Sequence, residues 1–295
     1  SYGYVLKSIK KDRTLRPIVE NLKGQTFVVS GASRGIGFNV AEKLVKSGAN
    51  VTILGKTTKE HPKLEGTIYS AADYLNNMNA EGHCLPIACD IRNPDNIDIA
   101  INQTIDQFQN IDGVVLNASA LCLTDTLSQT DKQTMLMSNV NVNGTFMVGQ
   151  RCLDHIVNSE SGRVLCIAPP IEMLYTDDWW VNHLYYSISK FNMSLMAKFW
   201  DKEFPKIGVN TLWPRTTIST APVKNILGGD EMVNISRTPD IMGEAAKHIL
   251  HADPSLCTGK NFIDDEVLVS LDIDVEQFRV NKDISEKELM PDFFC

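Results

Sequence analysis

The run Thr26-Phe27-Val28-Val29-Ser30 leads directly into Gly31-Ala32-Ser33-Arg34-Gly35-Ile36-Gly37. Apolar residues without alternation read as a strand covered on both faces. After the glycines, Phe38, Val40, Ala41, Leu44 and Val45 recur at helical spacing. The chain therefore passes from buried strand through a glycine turn into a helix. Glycines let the backbone approach a ligand closely, and the helix behind them turns its free N–H groups and positive dipole end toward that ligand. A pyrophosphate is the ligand such a turn suits. Alone the glycines fit a plain turn; the flanking strand and helix give them meaning.

A second string adds chemistry. Tyr186-Ser187-Ile188-Ser189-Lys190 sets a phenol and an ammonium at positions i and i+4, on one face of a helix. Unaided, the two titrate near ~10 and ~10.4, too high for proton transfer at neutral pH. A cation beside the phenol favours phenolate and is expected to lower the tyrosine's pKa, which suits exchange of a proton with an alcohol or carbonyl oxygen.

From residue 23 onward strand-like and helix-like segments alternate. Strands are expected at 26–31, 50–55, 84–89, 113–117, 162–168, 207–213 and 260–263, with helices near 36–48, 66–80, 95–109, 130–157, 184–204 and 239–250. This pattern predicts an α/β fold: a single Rossmann-type doubly wound parallel sheet of about seven strands with helices on both faces. Ligands of such sheets bind beyond the carboxyl ends of the strands. Gly31, Lys56, Asp90, Asn117 and Ala168 all fall at those ends.

Taken together these strings resemble the short-chain dehydrogenase/reductase family, from about residue 23 to 262. Asp90 ends the strand Leu85-Pro86-Ile87-Ala88-Cys89, and Leu116-Asn117-Ala118-Ser119 stands where the family has N-N-A-G. Asn139-Val140-Asn141-Val142-Asn143-Gly144 is similar to the helix carrying the family's catalytic asparagine, and Val209-Asn210-Thr211-Leu212-Trp213-Pro214 to the strand beside the nicotinamide, with Arg215 in place of a glycine. Within the family, Lys56-Thr57-Thr58, the segment 61–69, Pro169-Pro170, Trp213-Pro214-Arg215-Thr216 and Pro291-Asp292-Phe293-Phe294 resemble the type-two hydroxysteroid dehydrogenase-like proteins. Those carry a C-terminal sterol-carrier-like domain, a segment beyond the Cys295 at which this sequence stops.

The resemblance implies roles. Tyr186 would be the proton donor or acceptor, Lys190 would hold the nicotinamide ribose and tune the phenol, and Asn141 would help hold a water linking Lys190 to solvent. Gly31, Ala32, Ser33, Arg34, Gly35, Ile36 and Gly37 would cradle the cofactor, with Asp90 at the adenine and Asn117 lining the cleft. An NAD site needs a carboxylate at the end of the second strand to accept from the ribose hydroxyls. Here the strand ends Leu54-Gly55-Lys56. Arg34 and Lys56 suit a 2′-phosphate instead, so NADP(H) is expected in preference to NAD(H).

One family residue is missing. Where the family has two serines, one steadying the substrate oxygen, this chain has Ala168 and Pro169. Neither donates through a side chain, and losing one such donor costs on the order of 10²–10³ in rate. Thr176 is a candidate replacement. Trp179 and Trp180 are candidate covers for an apolar substrate, and the segment 215–236, with Gly228-Gly229, a candidate lid.

Charge divides the chain. Residues 264–295 hold ten acids against Arg279, Lys282 and Lys287, and residues 1–23 hold six bases against Asp12 and Glu20. A basic N-terminal extension (1–22) and an acidic C-terminal tail (264–295) are therefore expected around a domain at 23–263, the two ends pairing with each other or meeting a partner, or the extension lying on the domain. The basic opening also fits a remnant targeting segment, which tilts the expected compartment toward the mitochondrial matrix. A net charge of −8 excludes nucleic acid as a bulk partner. Seven scattered cysteines, without C-x-x-C spacing, read as small core residues in a reducing compartment. No apolar run reaches the ~18–20 residues that span a bilayer. His248 and His251 read as a polar helix edge, and no metal is expected. Two functions fit: an oxidoreductase acting on an alcohol/carbonyl pair with an apolar, lipid-like substrate, or a non-catalytic nucleotide-binding subunit of a larger assembly, either one open to self-association.

Overall fold

A computed structural model describes residues 11–15, 21–62, 64–175 and 179–293, without the side chains of 174, 175, 179 and 180. Thr176 and Cys295 thus lie outside the described residues, as do the side chains of Trp179 and Trp180. Seven strands form one wholly parallel sheet: β1 (Thr26–Ser30), β2 (Asn50–Gly55), β3 (Cys84–Ala88), β4 (Gly113–Leu116), β5 (Arg163–Ile167), β6 (Gly208–Trp213) and β7 (Asn261–Ile263), ordered 3-2-1-4-5-6-7. The order reverses between β1 and β4, which opens a crevice at their carboxyl ends.

Alternation along β1 sends Phe27 and Val29 to one face and Val28 to the other. The first face packs against α1 (Gly35–Lys46), α2 (Ile68–Asn76) and α8 (Asp240–His251) through Leu44, Ile68 and Ile249. The second packs against α3 (Pro94–Phe108), α5 (Thr145–Ile156) and α6 (Leu184–Glu203) through Ile97, Val148 and Met193. The helix expected at 130–157 is three pieces: α4 (Asp131–Met137), a π-helical turn Ser138–Gly144 and α5. A short α7 (Gly229–Asn234) precedes α8, and α9 (Asp264–Ser270) follows β7.

Both ends pack on the domain as far as they are described. The acidic segment folds onto the domain as far as it is described: Val267, Leu268, Val275 and Phe278 are core residues. Arginines from outside the segment meet three of its acids. Asp265 pairs with Arg215 (3.4 Å) and Arg237 (3.3 Å), Glu266 with Arg215, and Glu286 with Arg237. At the other end Leu15 and Leu22 are buried in the same core, Asp12 binds Lys260 at 2.8 Å, and Lys11 pairs with Asp272. The described part of the N-terminal extension therefore lies on its own domain, one base meeting an acid of the C-terminal segment.

Candidate active site

The glycine turn is held from both sides. Gly31 N–H donates to the Leu54 carbonyl at 2.8 Å, and Asn117 Nδ2 donates to the carbonyls of Ser30 (3.0 Å) and Gly31 (3.1 Å). Gly31 has φ +68°, and a Cβ there would stand 2.9 Å from Ala118 Cα. At Gly37 a Cβ would meet Asn117 Nδ2 at 2.5 Å and the Gly31 carbonyl at 2.7 Å. The turn is thus pressed against β4 by contacts that only glycines allow. No side chain caps the first turn of α1, which leaves its N–H groups for an anion.

A cleft of about 510 Å³ opens beside this turn. Gly31, Ser33, Arg34, Gly35 and Ile36 line it from β1, Lys56 from β2, Asp90 and Arg92 from β3, and Asn117 from β4. Ala32 and Gly37 are buried beneath. Arg34 donates from Nε to the Glu65 carbonyl (3.0 Å) and from Nη2 to that of Gly66 (2.7 Å), tying the turn to the loop before α2. Arg92 escapes sequence reasoning because it lies past the expected strand. It binds Asp90 through Nε at 2.9 Å and, with Lys56 adding its charge, holds that carboxyl below the usual range. Thr220, Ala221 and Pro222 close the cleft from the segment after β6. A crevice with a tight glycine turn, an uncapped helix start and three basic side chains fits a dinucleotide.

Tyr186 and Lys190 do not line this cleft. They stand in the first half of α6, and both are buried, Tyr186 at 6% and Lys190 at 2% exposure. Lys190 Nζ donates to the Ile167 carbonyl at the end of β5 (2.7 Å) and sits 5.1 Å from the ring centre of Trp213. Burial lowers its pKa to about 7, against raising influences of Cys166 and Asp292. The phenol behaves otherwise than the spacing implied: burial, and then the charge of Asp292, push Tyr186 upward. Desolvation is the larger of the two causes.

Asn141 sits on the π-helical turn, where the widened backbone carries it inward. Its Oδ1 accepts from Ala120 N–H (2.7 Å), while Nδ2 donates to the Ala120 carbonyl (2.9 Å) and to Ser189 Oγ (2.9 Å). Asn141 therefore clamps the loop after β4 to the helix of Tyr186 and Lys190. At the end of β5, Ala168 is fully buried, and the Pro169 carbonyl accepts from Ser194 Oγ at 2.6 Å. Asp292 and Phe293, from the end of the described chain, stand at the site as well. The Trp213 indole donates to the Phe293 carbonyl at 2.7 Å, and the Phe293 ring meets Tyr186 edge-on at 6.3 Å. Burial pushes the Asp292 carboxyl up to about 8.

Among the described residues no cluster of His, Cys, Asp and Glu has metal-ligand geometry, and no helix is long and apolar enough to cross a membrane. His248 faces Glu244 at 3.3 Å along α8.

Sheet order, glycine crevice and a Tyr-x-x-x-Lys helix at the carboxyl ends are the layout of the dinucleotide-dependent α/β oxidoreductases. The family described as short chain dehydrogenase matches residues 25–227, and the chain belongs to it; its members use a nicotinamide cofactor. The chain is similar to hydroxysteroid dehydrogenase-like protein 2 of Xenopus tropicalis, 39% identical over 94% of this chain and 65% of that protein. Against the human protein of the same name it is 38% identical, again over 94% of this chain and 65% of that one. It thus spans about two thirds of the length of those relatives. A solved structure from Xanthomonas campestris superposes with a TM-score of 0.86 at 38% identity, covering 93% of this chain and 99% of that one. A short chain dehydrogenase from Mycobacterium thermoresistibile gives 0.83 at 37% identity over 92% and 95%.

Proposed function

We propose that this chain is an NADP(H)-dependent oxidoreductase that interconverts an alcohol and a carbonyl on an apolar, lipid-like substrate. The observation that supports the reading is Tyr186 and Lys190 one helical turn apart on α6, with Lys190 Nζ on the Ile167 carbonyl at the end of β5 and near Trp213 at the end of β6.

When bound, the nicotinamide supplies or accepts the hydride. Tyr186 exchanges the proton with the substrate oxygen. Tyr186 is protonated at neutral pH and so can donate to a carbonyl; burial makes the resulting phenolate costly, and the Lys190 ammonium, fixed on Ile167, offsets part of that cost as the phenolate forms. Asn141 holds the loop after β4 against α6 and so positions both residues. Asn117 and the glycine turn seat the pyrophosphate at the start of α1. Arg34, Lys56 and Arg92 supply positive charge where a 2′-phosphate would lie, although Asp90 already engages Arg92. Apolar neighbours Met137, Trp213 and Ile263 favour an apolar substrate. The rival reading, a non-catalytic nucleotide-binding subunit, rests on the missing serine, the basic N-terminal arm and the acidic tail; the described residues of the arm and the tail lie on this chain's own domain, while Ala168 and Pro169 remain in its favour.

The test is a screen of apolar ketones and aldehydes with NADPH, run beside calorimetric titration of NADPH and NADH. Carbonyl-dependent NADPH oxidation is expected. Tight NADPH binding with no turnover of any carbonyl contradicts the enzyme reading.

A further inference from the structure

Beyond Phe278 the chain returns to the carboxyl ends of the strands and runs beside the segment leaving β6. Thr217 N–H donates to the Met290 carbonyl at 2.9 Å, and Met290 N–H to that of Ile235 at 2.9 Å. Asp292 N–H donates to the Arg215 carbonyl at 3.0 Å, and Trp213 to the Phe293 carbonyl at 2.7 Å. The result is an extended strap, Met290–Phe293, laid over the reactive pair. Its root is fixed by Leu289, which is buried, and by Glu286 bound to Arg237. The strap inserts the Phe293 ring into an apolar cluster with Met137, Tyr186, Phe191, Trp213 and Ile263.

Any carbonyl that trades a proton with Tyr186 must come within about 2.6–3.2 Å of the phenol oxygen. Its flanking groups must then lie against the phenol's neighbours, and Phe293 is one of them. Met137, Trp213 and Ile263 belong to α4, β6 and β7, so moving them disrupts the sheet or the helix packed on it. The strap that carries Phe293 is held through hydrogen bonds, three between backbones and one from the Trp213 indole among them, that water replaces at small net cost.

We propose that Phe293 is a specificity-determining residue that occupies the substrate side of Tyr186, and that an apolar, ring-bearing carbonyl substrate binds by displacing it together with the strap Met290–Phe293. This rests on the reading of Tyr186 as proton donor. A ring entering the cluster recovers the apolar contact that Phe293 gives up, whereas a small polar carbonyl does not. Asp292 moves with the strap. Its burial, with Asp264 adding its charge, accounts for the raised carboxyl, and its own charge adds to the raised phenol, so opening relaxes both.

Tetranitromethane nitration, read by peptide mass spectrometry, tests occupancy without any substrate. Tyr69 and Tyr74, 47% and 56% exposed, serve as internal references. In the native chain Tyr186 should react at least about tenfold more slowly than these, because burial suppresses the reactive phenolate. Phe293→Ala should bring it within about threefold of them, and Phe293→Leu should restore protection. Asp292→Pro, which removes the N–H bonded to Arg215, unlatches the strap by a second route should Phe293→Ala fold poorly. With NADPH, Phe293→Ala should lower KM for 2-naphthaldehyde about tenfold relative to propanal, with kcat changed less. Persistent protection of Tyr186 in both opened variants, or nitration of native Tyr186 as fast as Tyr69, overturns the proposal; so does an unchanged KM ratio. Loss of protection with no turnover of any aldehyde leaves Phe293 as the pocket's occupant and removes Tyr186 as proton donor instead.

Discussion

Lys190 Nζ donates to the Ile167 carbonyl oxygen at 2.7 Å, which ties the ammonium of α6 to the last residue of β5. Because Lys190 is buried, its pKa falls to about 7, inside the working range of an enzyme. The charged form stabilises a developing phenolate on Tyr186, so kcat/KM for carbonyl reduction should fall as pH rises through about 7. Asp292, its carboxyl raised to about 8, is largely protonated at that pH, so Asp292→Asn should leave the inflection in place. A pH–rate profile of the two chains decides it; a profile with no inflection near 7 contradicts the assignment.

Cofactor choice follows from the bases around the cleft. Charge-assisted contacts of Lys56 and Arg34 with a 2′-phosphate should favour NADPH over NADH by ~1.5–3 kcal/mol, roughly ten- to a hundredfold. Lys56→Ala should narrow that gap without loosening the turn, because Lys56 is exposed. Arg34→Ala should weaken both cofactors, since Arg34 also binds the carbonyls of Glu65 and Gly66. Calorimetric titration giving equal affinities in the native chain contradicts this.

Gly37→Ala should be costly out of proportion to its size. Its Cβ would sit 2.5 Å from Asn117 Nδ2 and 2.7 Å from the Gly31 carbonyl, and neither is free to retreat. Overpacking of this kind costs about 1–3 kcal/mol, and displacement of the turn should also weaken cofactor binding. Urea unfolding and titration of the variant check both; unchanged values would mean the turn is looser than described.

Asp264 gives stability a pH dependence of definite sign. Burial, with Asp265 adding its charge, raises its carboxyl to about 7 in the folded chain, above the ordinary 3.8. Between those values the folded state binds more protons than the unfolded, so this group's contribution falls as pH rises toward 7 and beyond. Asp264→Asn should therefore flatten the decline in melting temperature between about pH 5 and 8, where ordinary carboxylates no longer titrate. A native-minus-variant difference that is constant or grows with pH contradicts the sign.

Much of this was legible in the residues themselves. The strands were readable because each is a short apolar run at the foot of a helix, and Gly31, Asp90 and Asn117 stand at their ends as expected. The π-helical turn at Asn141 was not, because its apolar spacing continues the helices on either side. The packing of residues 264–293 was not legible for a physical reason: composition reports the acids of that segment but not Arg215 and Arg237, distant in sequence, which pair with Asp265, Glu266 and Glu286. Phe293 was invisible as a site residue for a similar reason. Only the return of the chain along β6 brings it to Tyr186, and no local pattern encodes that path.

The central claim is that Tyr186 delivers the proton. Tyr186→Phe removes one hydroxyl from a ring already packed against Phe293 and Trp213, so the fold and the glycine turn that seats the cofactor should be untouched. The decisive measurement compares the native and Tyr186→Phe chains for NADPH oxidation with an apolar aldehyde, beside NADPH affinity by calorimetry. Turnover should fall at least about a hundredfold, with affinity unchanged within about twofold. Undiminished turnover in the phenylalanine chain would contradict the account.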